Sequence, residues 1–156
     1  MTAAPARGSV ASGRSPAAGR GFWIVTGALG LGCVLLIVQI LVNRPIAETI
    51  AHAQHTLRTA QAAAEETRAG TGSFRDADAG GLAVRAPSLT FRGAEEPSTG
   101  LNDVSVFASD RVWTAAVMAR AEACFYLRLE EGSDPLYGVG GACTGRAALG
   151  ASDPRW

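Results

Sequence analysis

The chain has 156 residues, enough for one compact domain at most, and a formal net charge of zero. All fourteen basic residues are Arg, and no cluster of them forms the basic face that nucleic-acid binding needs, so no nucleic-acid partner is expected. With three Cys and two His in the chain, metal and nucleophilic chemistry have few residues to draw on.

Residues 1–21 are mostly Ala, Gly, Ser, Pro and Arg. They have almost nothing to bury and read as a disordered leader. Arg7, Arg14 and Arg20 stand there without an acid, giving +3. Residues 22–42, FWIVTGALGLGCVLLIVQILV, contain no charge. About 20 such residues in a helix cross a hydrocarbon core of roughly 30 Å, so this stretch is predicted to be a single transmembrane helix. Three Arg precede it and Arg44 follows it, which places the N-terminus in the cytoplasm and the C-terminal head outside. A cleaved signal peptide is the competing reading, but its apolar region is ordinarily shorter, about 7–15 residues. The A-x-A in question, Ala51-His52-Ala53, lies well beyond the apolar stretch. Cys33 lacks a lipobox, with Gly30 where Leu is expected, and reads as a small apolar filler. Ala28 and Gly32 form a small-xxx-small pair suited to close helix approach.

Pro45 lacks an N–H, so it either opens a second helix or kinks a continuous one. Residues 43–70 are Ala-rich, with Glu, Gln and Arg, and carry no Gly before Gly70. Ile46, Ile50, Ala53, Leu57, Ala60 and Ala64 fall on one face, predicting an amphipathic stalk helix that Gly70-Thr71-Gly72 ends. Its acids and bases balance. His52 and His55 have no Cys or carboxylate partner at ligand spacing and read as polar-face histidines, so no metal and no cofactor is predicted.

Residues 71–102 are rich in Gly, Pro, Asp and Ser and read as loop, with hints of short strands over Gly81–Ala86 and Ser88–Phe91. The ordered head is expected to start at Val104. Residues 103–108 alternate, Ser109-Asp110 suits a turn, and residues 111–119 alternate again, with Trp113, Ala115, Val117 and Ala119 on one side. Residues 123–129 form a third strand, with Phe125, Leu127 and Leu129 opposite Cys124, Tyr126 and Arg128, and Leu136–Val139 a fourth. The expected architecture is therefore α+β: an antiparallel β head over 103–147, one face covered by the amphipathic helix, and a tail over 148–156.

Cys124 and Cys143 enclose 18 residues. Outside the cytoplasm pairing is the expectation, and a two-Cys metal site lacks the other two ligands. Asp110, Glu130, Glu131 and Asp134 sit in turns, where acids are normally solvated. The head has no His to activate a nucleophile, and no Gly-rich phosphate loop follows a strand, so an enzyme is not expected.

Taken together, a basic leader, an apolar helix, a proline, an amphipathic helix, a loop, an antiparallel sheet and a C-terminal cysteine pair resemble the plan of type IV pilins and type II secretion pseudopilins. Residues 20–147 carry the resemblance. Arg20-Gly21-Phe22 is similar to a prepilin peptidase site, which implies cleavage between Gly21 and Phe22. Pro45 stands close to where the family's helix kinks. Cys124-Phe125-Tyr126, Tyr137-Gly138 and Cys143-Thr144-Gly145 resemble the C-terminal sheet of pilin-like proteins from high-GC Gram-positive bacteria. The family's mature chain usually has Glu at its fifth residue, whereas counting from Phe22 gives Thr26 here. The resemblance implies a membrane-anchored structural subunit or accessory, minor or capping, that meets the bilayer and pilin-like subunits through its N-terminal helix. The alternative is an uncleaved single-pass protein whose outer domain binds without assembling.

Overall fold

The computed structural model describes residues 46–120 and 123–156, and all of them belong to one compact unit. Residues 46–71 are helical (α1), followed by α2 (Ala79–Arg85), β1 (Thr90–Arg92), β2 (Asp103–Ala108), β3 (Val112–Arg120), β4 (Ala123–Glu130), β5 (Leu136–Gly140) and a 3-10 turn (Ala147–Gly150). The fold is α+β, and its five strands lie in the sheet in chain order.

The amphipathic reading of α1 holds. Ala53, Leu57, Ala60 and Ala64 are fully buried, joined by Thr56, Ala63 and Thr67, while Ala47, Ala51, Arg58, Ala62, Glu65 and Ala69 on the opposite face are exposed. Leu57 is the one large side chain among the fully buried positions of α1, and the Ala around it let the backbone lie close to the sheet. Thr67 would be costly to bury alone, but its hydroxyl donates to the Ala63 carbonyl at 2.8 Å. The helix ends where Gly72 turns left-handed (φ 77°) and its N–H donates to the Arg68 carbonyl at 2.7 Å.

Period-2 alternation carries β2, β3 and β4. Val104, Val106, Trp113, Ala115, Val117, Ala119, Phe125, Leu127 and Leu129 join the buried face of α1 in one apolar core. β2–β3, β3–β4 and β4–β5 are antiparallel as expected, with Val106 opposite Ala115, Ala115 opposite Leu127 and Leu127 opposite Tyr137.

Four expectations need correction. Gly81–Ala86 is not a strand: α2 covers it, because the Asp78 side chain caps the helix by accepting from the Gly81 N–H at 2.8 Å and Leu82 buries inward. The strand hinted at over Ser88–Phe91 lies at Thr90–Arg92 and pairs parallel to β2, so the sheet is mixed rather than a pure meander. The head does not begin at Val104, since Phe74, Ala77 and Leu82 are core residues. Residues 148–156 are no loose tail. Ala148 and Ala151 are buried on the second face of the sheet, and Trp156 packs beside Phe125 and Tyr137 with ring centroids 5.4 and 4.7 Å away.

Candidate functional site

The second face of the sheet gathers the chemically distinctive residues. Alternation turns Ser105, Thr114, Ala116, Cys124, Tyr126 and Arg128 away from α1. Cys124 and Cys143 form the expected disulfide, with Cα atoms 5.2 Å apart and both residues buried. The bond fastens the C-terminal segment across β4.

Hydrogen bonds extend the same attachment on both sides. The Tyr126 hydroxyl donates to the Ala142 carbonyl at 2.8 Å, one residue before Cys143. Burial pushes the Tyr126 phenol above its ordinary value. Beyond Cys143, the Gly145 N–H donates to Ser105 Oγ at 2.8 Å, and Thr114 Oγ1 donates to the Gly145 carbonyl. A side chain at Gly145 would meet the Val106 carbonyl carbon at 2.5 Å and the Phe107 nitrogen at 2.6 Å, so only Gly allows this approach. Arg128 donates through Nη1 to the Leu149 carbonyl at 2.8 Å and pairs through Nη2 with Glu130.

Part of the connection between β1 and β2 reaches this face too. Ser98 is fully buried; its N–H donates to the Cys143 carbonyl at 2.8 Å, and its hydroxyl accepts from the Met118 N–H at 2.9 Å. The Asp103 carboxylate accepts from Arg92 Nε at 2.6 Å and from the Thr99 N–H at 3.0 Å. These contacts anchor a segment; they do not arrange a base beside a nucleophile. Sequence reasoning found the cysteines but missed Ser98, Ser105 and Tyr126 as their support. Ser105 and Tyr126 could have been found, because period 2 puts both on the face of Cys124.

Of the four acids expected in turns, Glu130 instead ends β4, opposite Val112, and three of the four are ion-paired rather than merely solvated. Asp110 meets Arg75 at 2.8 Å, Glu131 meets Arg111 at 3.2 Å, and Glu130 pairs with Arg128. Arg111, Val112, Glu130 and Glu131 line an open cleft of about 400 Å³.

Another cleft, of about 210 Å³, lies where α1 meets the turn before β1. His52, His55, Thr56, Thr59, Ser88, Leu89 and Asn102 line it. Both histidines are exposed on the polar side of α1, and His52 Nε2 is 2.9 Å from Asn102 Oδ1. Among the described residues, no three His, Cys, Asp or Glu converge as a metal-ligating group.

The remaining sequence-predicted site residues, Gly21, Phe22, Thr26, Ala28, Gly32 and Pro45, lie outside the described residues, as do the basic leader and the apolar stretch 22–42. Among the described residues, no helix is long and apolar enough to cross a membrane. No family model, curated protein or solved structure matches the chain.

Proposed function

We propose that this chain is a membrane-anchored, pilin-like structural subunit or accessory of a type IV pilus or type II secretion-like filament, in a minor or capping position. Residues 22–42 anchor it in the bilayer and offer the surface that meets pilin-like subunits, with Ala28, Gly32 and Pro45 shaping the helix contact. The N-terminus is cytoplasmic and the head lies outside the cell membrane.

The observation that carries this reading is the order of parts along one chain. An uninterrupted apolar stretch precedes a helix whose inner face, Ala53 to Thr67, is buried against a sheet, and that sheet carries a buried disulfide near the C-terminus. The disulfide supports a position outside the reducing cytoplasm. The functional weight falls on surfaces rather than on a reaction centre.

Thr26 favours a second reading, an uncleaved single-pass protein whose outer domain binds a partner without assembling. In the filament reading, a Glu there would offset the buried charge of a neighbouring N-terminal amine, and Thr carries no charge to do so.

N-terminal sequencing of membrane-extracted protein tests the first reading: Phe22 as first residue is expected, and an intact Met1 overturns processing. Cysteine cross-linking along residues 22–42 in cells then separates the two. Adducts with other subunits support assembly, and a chain that stays monomeric supports the second reading.

A further inference from the structure

Residues 152–156 wrap one edge of the sheet. β5 is an edge strand, and successive residues along it turn their main-chain groups alternately toward β4 and outward. Tyr137 faces outward: its N–H donates to the Asp153 carbonyl at 2.7 Å, and its carbonyl accepts from the Asp153 N–H at 3.0 Å and the Ser152 N–H at 3.1 Å. Those bonds make an isolated antiparallel bridge. Trp156 then packs on Tyr137 and Phe125. Two residues further along β5, Val139 also faces outward, and no main-chain partner meets it there among the described residues. Its side chain is 64% exposed, whereas Tyr137 is half-buried. Residues 152–156 thus cover the edge at Tyr137 and leave it open at Val139.

The edge is complementary to itself. In an antiparallel pair of two β5 strands centred on Gly138, Tyr137 of each copy lies opposite Val139 of the other. All the outward groups of both residues then bond, because each such pair exchanges two N–H···O bonds. An aromatic ring beside a β-branched side chain is a favourable cross-strand pair. Gly138 falls at the unbonded position, where strands come closest, about 4.5 Å between Cα atoms, and it has no side chain to obstruct them. Asp153 occupies the same Tyr137 groups, so this pairing and the docked segment exclude each other.

The docked segment is lightly held. Ser152, Asp153, Pro154 and Arg155 are exposed, and Trp156 Nε1 is buried without a hydrogen-bond partner among the described residues, which lowers what its packing gains. Unpaired sheet edges invite association, and covering them is one way proteins avoid it. We propose that residues 152–156 are a releasable cap that keeps a second copy of this chain off the edge of β5. The two-fold axis of the pairing reverses α1, so the pairing does not suit chains anchored side by side in one bilayer. In the filament reading the cap therefore removes a competitor of assembly through residues 22–42. The cap itself does not depend on that reading.

Amide hydrogen exchange and sedimentation equilibrium of the full chain in detergent test this. In the wild type the Tyr137 amide should be protected and the Val139 amide should exchange freely. Trp156→Ala keeps the main chain of the cap and should speed Tyr137 exchange about tenfold. A chain stopped after Ala151, with far-ultraviolet circular dichroism matching the wild type, should reach twice the wild-type mass as its concentration rises. Val139→Lys in that shortened chain should return the mass to the wild-type value, because a charge on an open edge opposes strand addition. Tyr137 exchange unaltered by Trp156→Ala overturns the cap. A shortened chain that keeps the wild-type mass overturns the proposal, as does association that Val139→Lys leaves undiminished.

Discussion

Trp113 and Ala77 are joined across 36 residues of chain: the indole Nε1 donates to the Ala77 carbonyl at 2.9 Å. Trp113 is fully buried at the centre of the sheet, so this bond fixes the segment between α1 and α2 to the core. Together with the burial of Phe74 and Ala77, it holds residues 71–78 in the folded unit despite a loop-like composition.

Replacing Trp113 separates packing from hydrogen bonding. Trp113→Phe keeps much of the apolar burial but leaves the Ala77 carbonyl unsatisfied, at a cost of about 1–3 kcal/mol. Trp113→Ala also opens a cavity, for about 3–5 kcal/mol. Urea unfolding of the full chain in detergent, read by far-ultraviolet circular dichroism, should order the variants wild type, Phe, Ala.

The contact of α1 with the sheet depends on one large residue among small ones. Leu57→Ala should cost about 2–5 kcal/mol. Ala60→Leu should also destabilise, by about 1–3 kcal/mol, because Ala60 is fully buried and added volume forces the helix off the sheet. If Ala60→Leu unfolds at the wild-type urea concentration, the close approach is wrong.

The disulfide gives a counted outcome. Denatured without reductant, the chain should show one free thiol of its three cysteines, that of Cys33. The double variant Cys124→Ser/Cys143→Ser should lose about 3 kcal/mol, the contribution of closing a loop of this size. Three free thiols in protein isolated from membranes would contradict the pairing.

Gly145→Ala tests the C-terminal attachment without touching the cysteines. Its Cβ has no room beside the β2 backbone, so the segment must lift and weaken the bonds to Ser105 and Thr114. A loss of about 1–3 kcal/mol is expected, comparable to core overpacking. Faster disulfide reduction by dithiothreitol should accompany it, as the lifted segment exposes Cys143.

Tyr126 sets an alkaline limit. Its folded phenol titrates above the ordinary value of 10.0, chiefly because burial disfavours the phenolate. The unfolded chain therefore loses this proton first as pH rises. The stabilisation is fully present below the unfolded value and is lost as pH rises from there through the folded one. Unfolding midpoints measured from pH 8 upward should fall more steeply for the wild type than for Tyr126→Phe.

Much of the sheet was legible in the sequence because alternation is a local signal. Val104, Val106, Trp113, Ala115, Phe125 and Leu127 could be assigned to one face without knowing what covers them. α2 was not legible: Gly80 and Gly81 are poor helix formers, and a seven-residue helix relies on its Asp78 cap and on Leu82 finding a core. β1, with three residues, is too short to show a period. The C-terminal segment carries small residues whose burial depends on the cysteine bond. The histidine cleft was hidden for a different reason, since Asn102 is adjacent to His52 only after folding. The buried disulfide was the one site feature that composition, spacing and compartment could all point to.

The strand order has a kinetic side. Every pair of neighbours in the sheet is also a pair of neighbours in the chain. The three antiparallel pairs, β2–β3, β3–β4 and β4–β5, are hairpins of the kind that zip within about 1–10 microseconds, each across a short loop. Leu57 has to wait, because its partners on β2 to β4 lie roughly fifty to seventy residues further along. High sequence separation slows a contact even where it adds little to the equilibrium cost. The pace at which this chain hides its apolar sheet is therefore set by the docking of α1 rather than by strand pairing. In that interval the naked face of Val104, Val117 and Leu127 is where misassembly would begin.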